Sequence, residues 1–322
     1  MTFRLPHFAA ACVAASLALA AQAAAQEGVR LYPLPDDAAY PEGIAATPDG
    51  RTLYTTNAAT GAVFAIDLAS GAVTPAGDPL GLAPGAEATS PLRSLGAKVD
   101  GRGRLWVAGG ETGSMRLIDP ASKRTLATFT TPGTGGLIND VAVTGEAAYF
   151  TDTRRPFLWR VAADASADAA LEPWISFAGT ALEYTPGANL NGIAATADGR
   201  YVIVVQMAAG RLFRIDTRSR EVARIDVGAE DVTLGDGLVL AGRRLYLVRQ
   251  GAGEVVTLDL GADFLTAKVV KRTSPQALAW PATAALVGDR LLIANSQFNK
   301  RASNTAVRPF SVVSIPLAAF DP

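Results

Sequence analysis

The sequence of 322 residues contains one cysteine, Cys12, and one histidine, His7. Both fall in an N-terminal stretch built like a secretory signal peptide. Arg4 stands near the start, a small and apolar run covers residues 8–25, and an A-x-A exit precedes Gln26 and Glu27. Cleavage is expected after Ala23 or Ala25, giving a signal peptide over 1–25 and a single mature domain over 26–322, periplasmic or secreted. The mature chain then has neither residue type. That excludes disulfides, thiolate nucleophiles, Cys or His metal sites, a Ser-His-Asp triad and any histidine general base. Polar chemistry is left to carboxylates, amides, hydroxyls, Lys, Arg or a metal held by oxygen.

Excess charge is missing as well. With 29 Lys and Arg against 30 Asp and Glu, the net charge is −1, and no basic cluster marks a nucleic-acid face. Beyond the leader, no run approaches the ~18 apolar residues of a membrane span. Long helical periodicity is absent too. The Ala-rich residues 162–171 read as a surface loop.

What is present is a repeat. Residues 42–57, 94–109, 139–153, 191–206, 236–250 and 281–298 each show a short apolar run, a Gly-containing turn and a second run rich in Val, Ile, Leu and Tyr. Asp49-Gly50, Asp100-Gly101 and Asp198-Gly199 are two-residue hairpin signals, whose centre positions require φ > 0. A third strand follows most units, as in residues 61–71, 113–122, 156–165, 210–219 and 253–262, and a fourth follows several, as near Ile225. A unit of about 45 to 50 residues with about four strands is the period of a propeller blade. Six units fill the mature chain, which predicts an all-β, six-bladed β-propeller with a central channel. Residues 28–35 and 308–317 both read as strands and are expected to meet in the last blade and close the ring.

The head of each inner strand faces the axis in such a ring. The expected heads are Glu42, the 93–96 region, Asn139, Asn191, Asp236 and the 281–283 region. Asn139, Asn191 and Asp236 each lie ten positions before a tyrosine: Tyr149, Tyr201 and Tyr246. Two carboxylates and two amides at matched places offer hard oxygen donors and enough charge for one divalent cation, Ca²⁺ above all. Taken singly, Asn-Gly and Asp-Gly pairs read as turn residues that tolerate left-handed backbone. Recurrence over four blades is what favours a metal cage.

The motifs PEGIAATPDG (41–50), RSLGAKVDGRGRLWV (93–107), INDVAV (138–143) with YFTDT (149–153), NLNGIAATADG (189–199) and GDGLVL (235–240) resemble the SMP-30/gluconolactonase/LRE-like family. They resemble paraoxonase and strictosidine synthase-like propellers more distantly. The resemblance implies a six-bladed propeller with an axial divalent cation, often Ca²⁺, and hydrolysis of lactones. It implies metal ligands at Glu42, Asn139, Asn191 and Asp236, with Asp236 also the general base, and a substrate contact at Arg93. In the second-blade motif Leu95-Gly96 stands where the family has Asn-Asp, so one polar substrate contact is missing. The paraoxonase histidine pair has no counterpart. Three functions remain open: a metal-dependent hydrolase of a lactone or related ester acting on a small molecule, a non-catalytic ligand-binding propeller, and a structural propeller with an axial Ca²⁺. Glu183 and Tyr184, in the loop before Asn191, are further candidates for the pocket rim, as are Asn295, Gln297 and Phe298. Trp106, Trp159, Trp174 and Trp280 read as blade packing, and Asp152 as a structural hydrogen-bonding group.

Overall fold

The computed structural model describes residues 28–77 and 91–322. The expected signal peptide, 1–25, lies outside the described residues. Twenty-four strands form six four-stranded antiparallel sheets. Blade one holds β2 (Pro41–Ala46), β3 (Thr52–Asn57), β4 (Val63–Asp67) and β5 (Val73–Pro75). Blade two holds β6 (Ala97–Val99), β7 (Leu105–Ala108), β8 (Ser114–Asp119) and β9 (Arg124–Thr130). Blade three holds β10 (Ile138–Val143), β11 (Ala147–Asp152), β12 (Phe157–Ala162) and β13 (Glu172–Ser176). Blade four holds β14 (Leu190–Ala195), β15 (Tyr201–Gln206), β16 (Arg211–Asp216) and β17 (Val222–Ile225). Blade five holds β18 (Gly235–Ala241), β19 (Arg244–Arg249), β20 (Glu254–Leu260) and β21 (Ala267–Thr273).

Blade six is built from both ends of the described chain. Its strands β22 (Pro281–Val287), β23 (Arg290–Asn295) and β24 (Ser311–Pro316) are completed by β1 (Arg30–Pro33). Leu31 pairs Val313 and Tyr32 pairs Val312, so the two terminal strands meet as their sequences predict. The inner strands touch in a ring, β2 to β6, β10, β14, β18, β22 and back to β2.

The second strand of each blade is covered on both faces by neighbouring blades. This is why β7 and β11 are buried along their whole length, whereas the edge strand β9 alternates, with Ala127 and Phe129 inward and Thr128 and Thr130 outward. Six apolar clusters correspond to the six interfaces between blades. Trp106, Phe129, Phe150 and Trp159 fill the one between blades two and three. Tyr149 and Trp174 meet at 4.8 Å between blades three and four. Each large side chain buried this way adds about 1.5–3 kcal/mol of transfer free energy, so the ring is held by its interfaces.

The turns differ from the two-residue hairpins expected. Gly50 and Gly199 are left-handed at φ 67° and 68°, but Asp49 and Asp198 before them are not. The loops are longer, and each aspartate accepts a 2.6 Å bond from a threonine hydroxyl, Thr47 or Thr196. In blade two the left-handed residue is Gly103, and Asp100 turns inward to accept from Arg104 Nε and Trp106 Nε1.

Candidate metal centre

Five inner strands begin with the same irregularity. Register slips between Pro41 and Ile44, Ile138 and Val141, Leu190 and Ile193, Gly235 and Leu238, and Pro281 and Ala284. Each slip is a bulge that re-aims side chains. Its first residue is Glu42, Asn139, Asn191, Asp236 or Ala282. In blade two the pairing of Ala97 with Val107 makes Leu95 the matching residue. Asn191 is therefore matched as expected, but its partner in the repeat is Ile203 rather than Tyr201, because that hairpin loop is two residues longer.

The glycine after the bulge head serves close approach, not left-handed backbone. A Cβ on Gly43 would stand 2.2 Å from the Leu95 carbonyl, one on Gly192 2.1 Å from the Asp236 carbonyl, and one on Gly237 2.2 Å from Thr283 Oγ1. Threonines on the second strands tie these bulges together. The Thr56 hydroxyl accepts from Gly43 N–H and donates to the Leu95 carbonyl, both at 2.7 Å. Thr151 does the same between Asp140 N–H and the Asn191 carbonyl.

Polar residues at the ends of the second strands hold the loops that lead into the bulges. Asn57 donates to the Asp37 carbonyl, Gln206 to Glu183, Arg249 to Thr233 and Asn295 to Ala277. Asp152 accepts from the N–H groups of Leu137, Arg154 and Arg155, the structural part expected of it. Tyr40 and Leu234, two residues before Glu42 and Asp236, sit in left-handed backbone at φ 58° and 60°. The same conformation recurs at Trp280, two residues before Ala282, at φ 51°, so it belongs to the loops that enter the bulges and does not distinguish the polar blades.

The four oxygen-bearing heads are all buried: Glu42, Asn139, Asn191 and Asp236 are 4, 6, 6 and 3 % exposed. Oε2 of Glu42, Oδ1 of Asn139 and Oδ1 of Asn191 have no hydrogen-bond partner. The Asn139 amide has a fixed orientation. Thr153 Oγ1 donates to the Leu190 carbonyl at 2.6 Å, so it accepts from Asn139 Nδ2 at 2.8 Å, and Oδ1 is the atom left over. Burial raises the Glu42 carboxyl well above the ordinary range, and the charges of Asp236 and Asp140 raise it further. Burial and Asp140 do the same to Asp236, against a hydrogen bond from Asn191.

Orphaned buried acceptors and repelling carboxylates are costly, and a cation answers both costs, so these residues fit one. Among the described residues no three His, Cys, Asp or Glu side chains group as a metal site. A cage here depends on the two amides as well as the two carboxylates.

The rim candidates are placed differently. Arg93, two residues before Leu95, is half-buried, and its Nε lacks a hydrogen-bond partner. The Glu183 side chain is exposed. Tyr184 stacks on Phe177 and donates its hydroxyl to the Asp152 carbonyl. Asn295 and Gln297 are tied to neighbouring loop backbone, and Phe298 stacks on Tyr40.

Two residues were given no role in the sequence reading, Asp140 and, though it stands in the second-blade motif, Lys98. Asp140 occupies the second bulge position, where blades one, four and five have glycine; its oxygens accept from Val141 and Ile193 N–H, and one fills the space beside Gly96. Lys98 lies one place along β6 and lowers Glu42 and Asp140 electrostatically. Aligning the bulge heads exposes both, as N-D in place of N-G and as Lys in a column of small residues.

No curated protein matches the chain. Several solved structures share its fold. The major allergen of Malassezia sympodialis superposes with TM-score 0.66 at 13% identity, covering 90% of this chain and 96% of the other. A gluconolactonase from Xanthomonas campestris gives 0.61 at 17%, covering 90% of each chain. The calcium-binding protein regucalcin from Agrobacterium tumefaciens gives 0.60 at 17%, covering 89% and 93%. The family model described as the SMP-30/Gluconolactonase/LRE-like region matches residues 20–147, so the chain is similar to that family in sequence over this stretch and in fold around the whole ring.

Proposed function

We propose that this propeller is an exported, divalent-cation-dependent hydrolase of a lactone or related ester. The observation that carries the reading is the set of buried oxygens without partners on Glu42, Asn139 and Asn191, grouped with a buried Asp236 whose protonation is pushed up by burial and charge. Glu42, Asn139, Asn191 and Asp236 would hold the cation, with Ca²⁺ the best match to an all-oxygen set. When bound, the cation supplies Lewis-acid polarisation of the substrate carbonyl. Asp236 takes a proton from the attacking water as the C–O bond to its oxygen forms. The ring C–O ester bond then breaks, and the proton passes to the leaving alkoxide, which yields a hydroxy acid. Arg93, whose Nε is without a hydrogen-bond partner, would orient the polar end of the substrate. The similarity to the gluconolactonase-like family over residues 20–147 supports the lactone class.

Leu95 at the second bulge head favours one competing reading. An apolar side chain there removes a polar contact that sugar-lactone chemistry would use, which suits a propeller that binds a ligand without turning it over. A panel of lactones and esters, assayed with Ca²⁺ and with chelator, separates the two. Turnover that chelation abolishes and Ca²⁺ restores is the expected result. Cation binding with no turnover on the panel favours the binding propeller.

A further inference from the structure

The second residue after each bulge pair lines the channel. The residues there are Ala45, Lys98, Ala142, Ala194, Val239 and Ala285, paired with Tyr54, Trp106, Tyr149, Ile203, Tyr246 and Leu292 on the second strands. They line a cavity of about 280 Å³, three positions along the inner strands from the bulge heads. Five are small or aliphatic, and the one charged side chain is Lys98. Among the described residues the Lys98 ammonium has no ion-pair or hydrogen-bond partner, while its backbone pairs with that of Trp106.

Three buried carboxylates sit in the bulges of these inner strands, Glu42, Asp236 and Asp140, each no more than 4 % exposed, and β6 with Lys98 lies between β2 and β10. Both oxygens of Asp140 accept from backbone N–H groups, those of Val141 and Ile193, so the bulge holds it in place and it is not counted among the four cage residues. Its charge remains. One divalent cation balances Glu42 and Asp236 and leaves Asp140 over, and Lys98 is the remaining unit of positive charge.

We propose that Lys98 is the built-in counter-charge of the cage, which makes the site neutral with a divalent ion and sets its discrimination against ions of higher charge. This rests on the reading that Glu42, Asn139, Asn191 and Asp236 hold a cation. The ammonium repels a trivalent ion by one charge unit more than a divalent one. β6 lies against both β2 and β10, and Lys98 lowers the Glu42 and Asp140 carboxyls electrostatically, in keeping with that part.

The test is calorimetric titration of the metal-stripped, full mature chain with CaCl₂ and with TbCl₃, for wild type, Lys98→Met and Lys98→Arg, with a melting curve of each. Lys98→Met fills the channel with an apolar side chain of similar length, and Lys98→Arg keeps the charge. The expected result is a shift of the Tb³⁺/Ca²⁺ affinity ratio by about tenfold or more toward Tb³⁺ in Lys98→Met, with the wild-type ratio kept by Lys98→Arg. An unchanged ratio in Lys98→Met, with wild type binding both ions, overturns the counter-charge. So does an equal shift in both variants, since that follows shape and not charge. Failure of wild type to bind either ion overturns the cage, and Lys98's part with it.

Discussion

The heads of blades one, three, four and five can be set against those of blades two and six. All but one share the same two-residue bulge, and blade two reaches the same place without a register slip. The backbone geometry is therefore common, while the side chains differ: Glu42, Asn139, Asn191 and Asp236 on one side, Leu95 and Ala282 on the other. Leu95 belongs to the apolar cluster between blades six and one, whereas the polar heads leave buried oxygens without partners. The same position thus carries an apolar side chain in one pair of blades and a buried polar one in the other four. Stability comes from the interfaces, and the site is carried by single residues on top of them.

The sharpest way to break that contrast is Asp236→Asn, which keeps shape and one oxygen donor but removes a charge and a base. Hydrolysis at saturating Ca²⁺ should fall by about 10²–10⁴-fold, read as kcat, with the fold intact by circular dichroism. Activity near wild type would place the chemistry elsewhere.

Leu95→Ala tests the apolar side of the comparison. Removing a side chain that is 2 % exposed should destabilise by about 2–5 kcal/mol, measured by chemical denaturation, while cation affinity stays put. A large change in affinity with little loss of stability would mean that blade two contributes to the cage.

Cation removal should act in the opposite sense. A ligand bound only by the folded ring stabilises it by about 2.7 kcal/mol at a hundredfold excess over Kd, so chelation should lower the melting temperature and Ca²⁺ restore it. The pH dependence follows from the raised carboxyls. Glu42 and Asp236 hold protons in the cation-free fold that the unfolded chain releases above about pH 4. Their contribution is complete below that pH and is lost as pH rises through their raised values. The cation-free protein should therefore melt lower at about pH 8 than at about pH 5, and bound Ca²⁺ should flatten the decline. A melting temperature that ignores both chelator and pH would argue that the carboxylates are balanced in some other way.

The smallest effect is expected from Asn191→Ala, which removes one neutral donor. Cation affinity should weaken by about tenfold, the order of one lost ligand hydrogen-bond-scale contact, and added Ca²⁺ should recover most of the activity. Loss that no Ca²⁺ concentration repairs would give Asn191 a part in the reaction itself.

Much of this was legible in the chain. The repeat unit, the six blades and the closing strands around Leu31 and Val313 follow from the period, because every blade must solve the same packing problem, whereas the spacing to a tyrosine fitted Asn139 and Asp236 but paired Asn191 with Tyr201 in place of Ile203. The reason for the glycines was not legible. Gly43, Gly192 and Gly237 look like turn residues in one dimension, yet they are required by the backbone of the neighbouring blade about fifty residues away in the repeat. Nor could spacing show that Tyr184 gives its hydroxyl to Asp152, which lies on the preceding blade.

What the sequence by itself determined is the architecture and the residue types at its axis, since hydrophobic alternation and repeat length leave few ways to bury both faces of a small sheet. Only the tertiary structure decided which atoms those residues present. Thr153 orients the Asn139 amide through a carbonyl on the next blade, Asp140 is held by backbone N–H groups of two strands, and Lys98, on the strand beside β2, lowers the Glu42 carboxyl electrostatically. Hydrogen-bond orientation and electrostatic coupling depend on distances between blades, and those exist only once the ring has closed.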